Sequence, residues 1–69
     1  MIVPDYIKQQ ISQYIDIYHN ISTRDIAGRL GSLEKYNEML SQLYTKYNGD
    51  IKEICRALAY NYYNYINVY

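Results

Sequence analysis

The chain has 69 residues, with seven basic and seven acidic side chains and a formal net charge of zero. That length sets one domain with a small core, and the charge balance argues against both a basic nucleic-acid binder and an acidic DNA mimic. A single Cys excludes an internal disulfide framework and fits a reducing cytoplasm.

Eleven Tyr stand beside no Phe and no Trp, and Asn and Ile are frequent. This bias is that of an AT-rich coding sequence, as in low-GC bacteria, their plasmids and their phages. No amino-terminal run resembles a signal peptide and no apolar run approaches membrane-spanning length, so a cytoplasmic protein without a membrane partner is expected. A chain this short is marginally stable alone, which favours a partner or a second copy.

The spacing predicts an all-α, compact four-helix domain. Pro4 suits the first turn of a helix and Asp5 places negative charge at its start. Ile7, Ile11, Tyr14, Ile15 and Tyr18 follow at helical spacing, with Lys8, Gln9, Gln10, Ser12, Gln13 and Asp16 opposite. The first helix is therefore predicted over about 4–19, ended by His19-Asn20. His19 lies where a cation is favoured and has no Cys or His neighbour to make a metal site.

The second helix is predicted over about 23–30, within Ile21-Ser-Thr-Arg-Asp-Ile-Ala-Gly-Arg-Leu-Gly31. Ser22 is its N-cap, with Asp25 three residues on as in a capping box. Ile26, Ala27 and Leu30 share one face, and Gly31 supplies a left-handed stop. A short helix with a small residue mid-face, ended by Gly, is the first half of a helix-turn-helix. The turn is expected to set the third helix across the first.

Ser32 caps a third helix over about 33–47, with Leu33, Tyr36, Leu40, Leu43, Tyr44 and Tyr47 as its apolar stripe. Asn48-Gly49 stops it. Asp50 caps a fourth helix over about 51–67, carrying Ile51, Ile54, Cys55, Leu58, Tyr62, Tyr65, Ile66 and Tyr69. No charge follows Arg56, and the last thirteen residues hold five Tyr and three Asn. Tyr60 and Tyr63 fall off the main stripe and are expected to be exposed. Cys55, on the Ile54/Leu58 face, is expected to be buried.

The pattern Asp25-Ile26-Ala27, Leu30-Gly31 repeats as Glu53-Ile54-Cys55, Leu58-Ala59, an offset of 28 residues. Two helix-turn-helix frames follow. In the first, turning at Gly31, Asn37 stands where an apolar residue normally packs inward. In the second, Ala59 would be the turn residue, with Tyr60, Tyr65 and Val68 inward. Its second helix would carry no charge, so the first frame is the better DNA binder.

That first frame, with the supporting stretch from Tyr6-Ile7 to Tyr18, resembles the amino-terminal tri-helical part of LexA-type and SpoIIID-type repressors over roughly residues 5–44. The resemblance implies a small helix-turn-helix transcriptional regulator that binds double-stranded DNA. Its third helix would enter the major groove with Ser32, Lys35 and Asn37 near base edges. Arg24, Arg29 and Lys46 would contact phosphate. Glu34 and Glu38 would oppose this. Such a regulator is expected to be a dimer through the Tyr-rich fourth helix.

The alternative is a helical protein-interaction module that inhibits a host enzyme or defence complex and binds no DNA. Its surface would be Tyr60, Tyr62, Tyr63, Asn64 and Asn67, since Tyr supplies contact area at low entropic cost. An enzyme is not expected. One Cys, one His and no paired carboxylates leave no evident catalytic set, and no cofactor is implied.

Overall fold

The computed structural model describes residues 2–66, with side chains through residue 64. Four helices follow in order: α1 (Asp5–His19), α2 (Thr23–Leu30), α3 (Leu33–Lys46) and α4 (Ile51–Ile66). The protein is all-α, and no strand occurs among the described residues. The Cα radius of gyration is 11.1 Å, close to the ~11 Å expected of a compact chain of this length.

Each boundary has a local cause. Pro4, the predicted first residue, is the N-cap of α1, which begins one residue later at Asp5; the Pro4 carbonyl accepts from the Ile7 and Lys8 amides at 3.0 Å each. Asn20 ends α1 in the left-handed region (φ 56°), a conformation Asn tolerates better than most residues. The Asp25 amide donates to Ser22 Oγ at 3.1 Å, opening α2. The Lys35 amide donates to Ser32 Oγ at 3.1 Å, opening α3. Asp50 Oδ1 accepts from the Lys52 amide at 3.1 Å and the Glu53 amide at 3.4 Å, opening α4.

The end of α3 is a Schellman arrangement. Asn48 is left-handed at φ 59°, the Gly49 amide reaches back to the Tyr44 carbonyl at 3.0 Å, and the Asn48 amide donates to the Thr45 carbonyl at 3.4 Å. Gly31 has φ 111° and donates its amide to the Ala27 carbonyl at 3.0 Å, so α2 stops where the sequence puts its glycine.

One core joins all four helices. Ile11, Ile15, Ile26, Leu40, Ile54, Cys55 and Leu58 are fully buried, with Val3, Ile21, Ala27, Tyr36 and Ala59 nearly so. Each large aliphatic contributes about 1.5–3 kcal/mol by leaving water. The principal partner of α1 is α4, and that of α2 is α3. α1 and α3 make no close backbone approach among the described residues, so the expected crossing of the first helix by the third does not occur. α2 and α4 each pack against all three other helices, and α4 can do so because its Ile54–Leu58 face is apolar and its Cys55 and Ala59 are small.

Two stripe positions depart from expectation. Leu33 is 64 % exposed. A helical side chain lies over the turn before its own Cα, and at the first position of α3 no such turn exists for it to cover. Tyr18 is 68 % exposed, at the edge of the α1 stripe, where it stacks on Tyr14 with ring centroids 4.3 Å apart. Val3, just before the Pro4 cap, joins the core although the helical spacing does not reach it. An apolar residue directly ahead of an N-cap is a recognised place for such back-packing.

The second helix-turn-helix frame does not exist. α4 runs unbroken through Ala59, which is buried within the helix and makes no turn. The Glu53–Ala59 copy of the motif therefore serves packing. No helix among the described residues is long and apolar enough to cross a membrane.

Candidate interaction surfaces

The α2–Gly31-Ser32–α3 unit carries the predicted DNA contacts, so the placement of each is decisive. Ser32, Leu33, Glu34 and Lys35 are all exposed at the start of α3, and Asn37 is half-buried. Lys35 folds back over the turn: its Cδ and Nζ lie 3.8 Å from where a Cβ on Gly31 would stand. The outward α3 face holds Glu34 in its first turn and Glu38 one turn on, both exposed. Two carboxylates there would confront the phosphate walls of a groove.

The two arginines of α2 are not brought together. Five positions apart, they point away from each other around the helix. Arg24 lines a shallow cleft with Gln13 and Asp16 of α1, and with Ser22 and Thr23. The Arg29 guanidinium lies over the Tyr62 ring of α4, 5.7 Å from its centroid. Such a contact is worth only about 0.5–1 kcal/mol at an exposed site, but it aims Arg29 at α4. Lys46 is remote from both, at the far end of α3, with its Nζ 5.4 Å from the Tyr47 ring centroid.

The α4 residues form a more coherent surface. Arg56, Tyr60 and Tyr63 recur at i, i+4 and i+7 on the side of α4 opposite Ile54, Cys55 and Leu58. Tyr60 is 67 % and Tyr63 47 % exposed. Asn64, exposed, extends the same face. Arg56 pairs with Glu53 at 3.2 Å, an exposed bond of little energetic weight that leaves the guanidinium at the surface. The Tyr63 hydroxyl donates to the His19 carbonyl at 3.3 Å, fixing this ring against the end of α1. Asn61, also exposed, donates Nδ2 to the Ala57 carbonyl one turn back along α4 at 2.8 Å.

Tyr62 belongs elsewhere. It is half-buried against the core beneath Arg29, and meets Tyr63 edge-on at 5.6 Å between centroids. It therefore supports the tyrosine face from behind. Asn67 lies outside the described residues. Beside the stripe, an open groove of about 390 Å³ runs between the ends of α3 and α4, lined by Leu43, Lys46, Tyr47, Ala57, Tyr60 and Asn61 among others.

A third exposed surface was missed in the sequence, where its spacing is masked by the stronger core stripe. Tyr6, Gln10, Gln13 and Ile17 recur at i, i+4, i+7 and i+11 on the outer side of α1. Tyr6 is 65 % and Ile17 72 % exposed.

The single cysteine is inside the fold. Cys55 is buried and donates Sγ–H to the Ile11 carbonyl at 3.6 Å. Burial pushes its thiol up to about 11. Burial, and secondarily the charge of the Cys55 thiolate, push the Tyr36 phenol up to about 12. Both groups stay protonated at neutral pH. Among the described residues, no group of three or more His, Cys, Asp or Glu is placed to hold a metal ion. Compared with protein-family models, curated proteins and solved structures, the chain matches none.

Proposed function

We propose that this chain is a small protein-association module whose docking surface is the outward face of α4. The observation that carries this reading is the Arg56–Tyr60–Tyr63 stripe, exposed in a helix whose other side is wholly committed to the core. Arg and Tyr are the residues that concentrate binding energy at protein interfaces. The Tyr63 bond to His19 holds one ring in place before any partner arrives, which lowers the ordering cost of association. The adjoining groove with Lys46 and Tyr47 offers a concave edge for a partner side chain.

Affinity capture from the native cells tests this. The wild-type chain should retain a stoichiometric protein, and the Tyr60→Ser/Tyr63→Ser variant, with an unchanged helical spectrum, should lose it. Equal retention by both would place the contact elsewhere on the fold.

A second reading, DNA binding through α3, is favoured by one specific feature: the capped α2, its Gly31 turn and the fully exposed start of α3. Glu34 and Glu38 and the divergence of Arg24 from Arg29 count against it. Its test is a mobility shift on duplex DNA at low salt, where binding should fall steeply with added salt and with Arg24→Ala or Arg29→Ala. Absence of any shift at low salt removes it.

A further inference from the structure

The outer face of α1 has no covering element in the fold, and its chemistry is specific. We infer that this face is the seat of a second copy of the same chain, packed antiparallel across a two-fold axis. The inference does not rest on the proposed role of α4.

The argument is one of self-complementarity. A two-fold interface brings the same patch of both copies together, so the patch must match its own reverse. Tyr6, Gln10, Gln13 and Ile17 are spaced symmetrically about the junction of Ile11 and Ser12, close to the middle of α1 (Asp5–His19). An antiparallel pairing centred there sets Tyr6 against Ile17 of the second copy and Gln10 against Gln13 of the second copy. Each large apolar side chain then meets another, at both ends. The two central pairs are amides, each able to donate and accept with its counterpart.

Charge points the same way. Tyr6, Gln10, Gln13, Tyr14 and Ile17 carry none, so a second copy neither repels the first nor buries an unpaired ion. At one border of this face Asp16 and Arg24 line a cleft together and have opposite sign. On the other border, Tyr14 and Tyr18 join Gln10, Gln13, Ile17 and Ile51 in lining a shallow groove, which widens the apolar contact.

The area is sufficient. A Tyr ring offers roughly 150–250 Å², and Tyr6, Ile17 and Tyr18 are each about two-thirds exposed. With the glutamines, roughly 500 Å² per copy is covered, or about 1,000 Å² in all, at the lower limit for a specific interface. Association is accordingly expected in the upper micromolar range.

Sedimentation equilibrium from about 5 to 500 μM is the test of that range. The wild-type chain should shift from monomer to dimer. Ile17→Asp should weaken the association at least tenfold, and so should Gln10→Glu, a milder surface change that keeps the proposal testable if the first variant folds poorly. Tyr60→Ser/Tyr63→Ser should leave the dimer intact. Register is read by mixing the single variants Gln10→Cys and Gln13→Cys under mild oxidation, the native thiol being buried. Mixed disulfides should exceed either self-linked product. A chain that stays monomeric at the highest concentration overturns the inference. So does a dimer that survives both α1 variants, one lost in the α4 variant, or one with no preference for the mixed disulfide.

Discussion

Gly28 and Gly31 stand three residues apart at the end of α2, and alanine at the two positions should have opposite effects. Gly28 is inside the helix, exposed, and a Cβ there meets nothing within 4 Å. Gly→Ala in a helix interior gains about 0.8–1 kcal/mol from the lower entropy of the unfolded chain. Gly31 also has room, its nearest neighbour being the flexible Lys35 side chain at 3.8 Å. Its φ of 111°, however, forces a Cβ into a region that L-residues avoid. Holding a non-glycine residue in left-handed backbone costs roughly 1–2 kcal/mol. The two variants should thus differ by about 2–3 kcal/mol. For a domain of this size each kcal/mol moves the melting temperature by about 4–8 °C. Thermal and urea unfolding followed by far-UV circular dichroism would place Gly28→Ala above the wild type and Gly31→Ala below it. Equal shifts of the same sign would mean that α2 and α3 are not joined by a glycine-dependent left-handed turn, and the argument for the α2–α3 unit would fail with it.

Other outcomes follow from the same structure. Ser22→Ala and Ser32→Ala should each cost about 1 kcal/mol in urea denaturation, since each hydroxyl accepts from a first-turn amide. Leu58→Ala, at a fully buried position of α4, should cost about 2–5 kcal/mol and leave a chain of this size largely unfolded by circular dichroism at 37 °C. Stability should fall at alkaline pH. The folded state holds Cys55 and Tyr36 protonated up to about 11 and about 12, against ordinary values of 9.0 and 10.0. Their contribution is intact below pH 9 and declines as pH rises through those intervals, because the unfolded chain releases the protons first. Melting temperatures measured from pH 7 to 11 should therefore drop above pH 9, and a flat profile would place both groups in water. The Cys55 thiol should react with a disulfide reagent only as fast as the fold opens, and a rapid reaction in native buffer would contradict its burial.

Helix positions were legible in the sequence because their signals are local. Ser22, Ser32 and Asp50 are caps, and Gly31 and Asn48-Gly49 are stops, each acting within a few residues. α2 over Thr23–Leu30 follows from them alone. Which helix lies against which was not legible, since it depends on how four stripes share one core. The glycine turn suggested that α3 crosses α1, whereas α4 packs against all three others. The repeated motif misled for a related reason. Glu53–Ala59 has the residues of a short capped helix with a turn, but Ala59 is buried in a continuous helix, where a left-handed break would expose the core.

The candidate surfaces were legible in part. Tyr60 and Tyr63 fall off the core stripe in the sequence and are exposed in the fold. Tyr62, between them, is held inward by the same periodicity that turns them out. Arg24 and Arg29 look like a pair in the sequence, yet one faces α1 and the other Tyr62. Their separation follows from helical geometry once the neighbours of α2 are known.

The central claim concerns the α4 tyrosines, and footprinting tests it most directly. Limited tyrosine iodination, read by mass spectrometry, would be compared between the free chain and the chain captured with its cellular partner. In the free chain Tyr60 and Tyr63 should label quickly and Tyr36 hardly at all. In the complex, labelling of Tyr60 and Tyr63 should fall several-fold. Unchanged labelling of these two rings in the complex, or their protection by duplex DNA alone, would contradict the account.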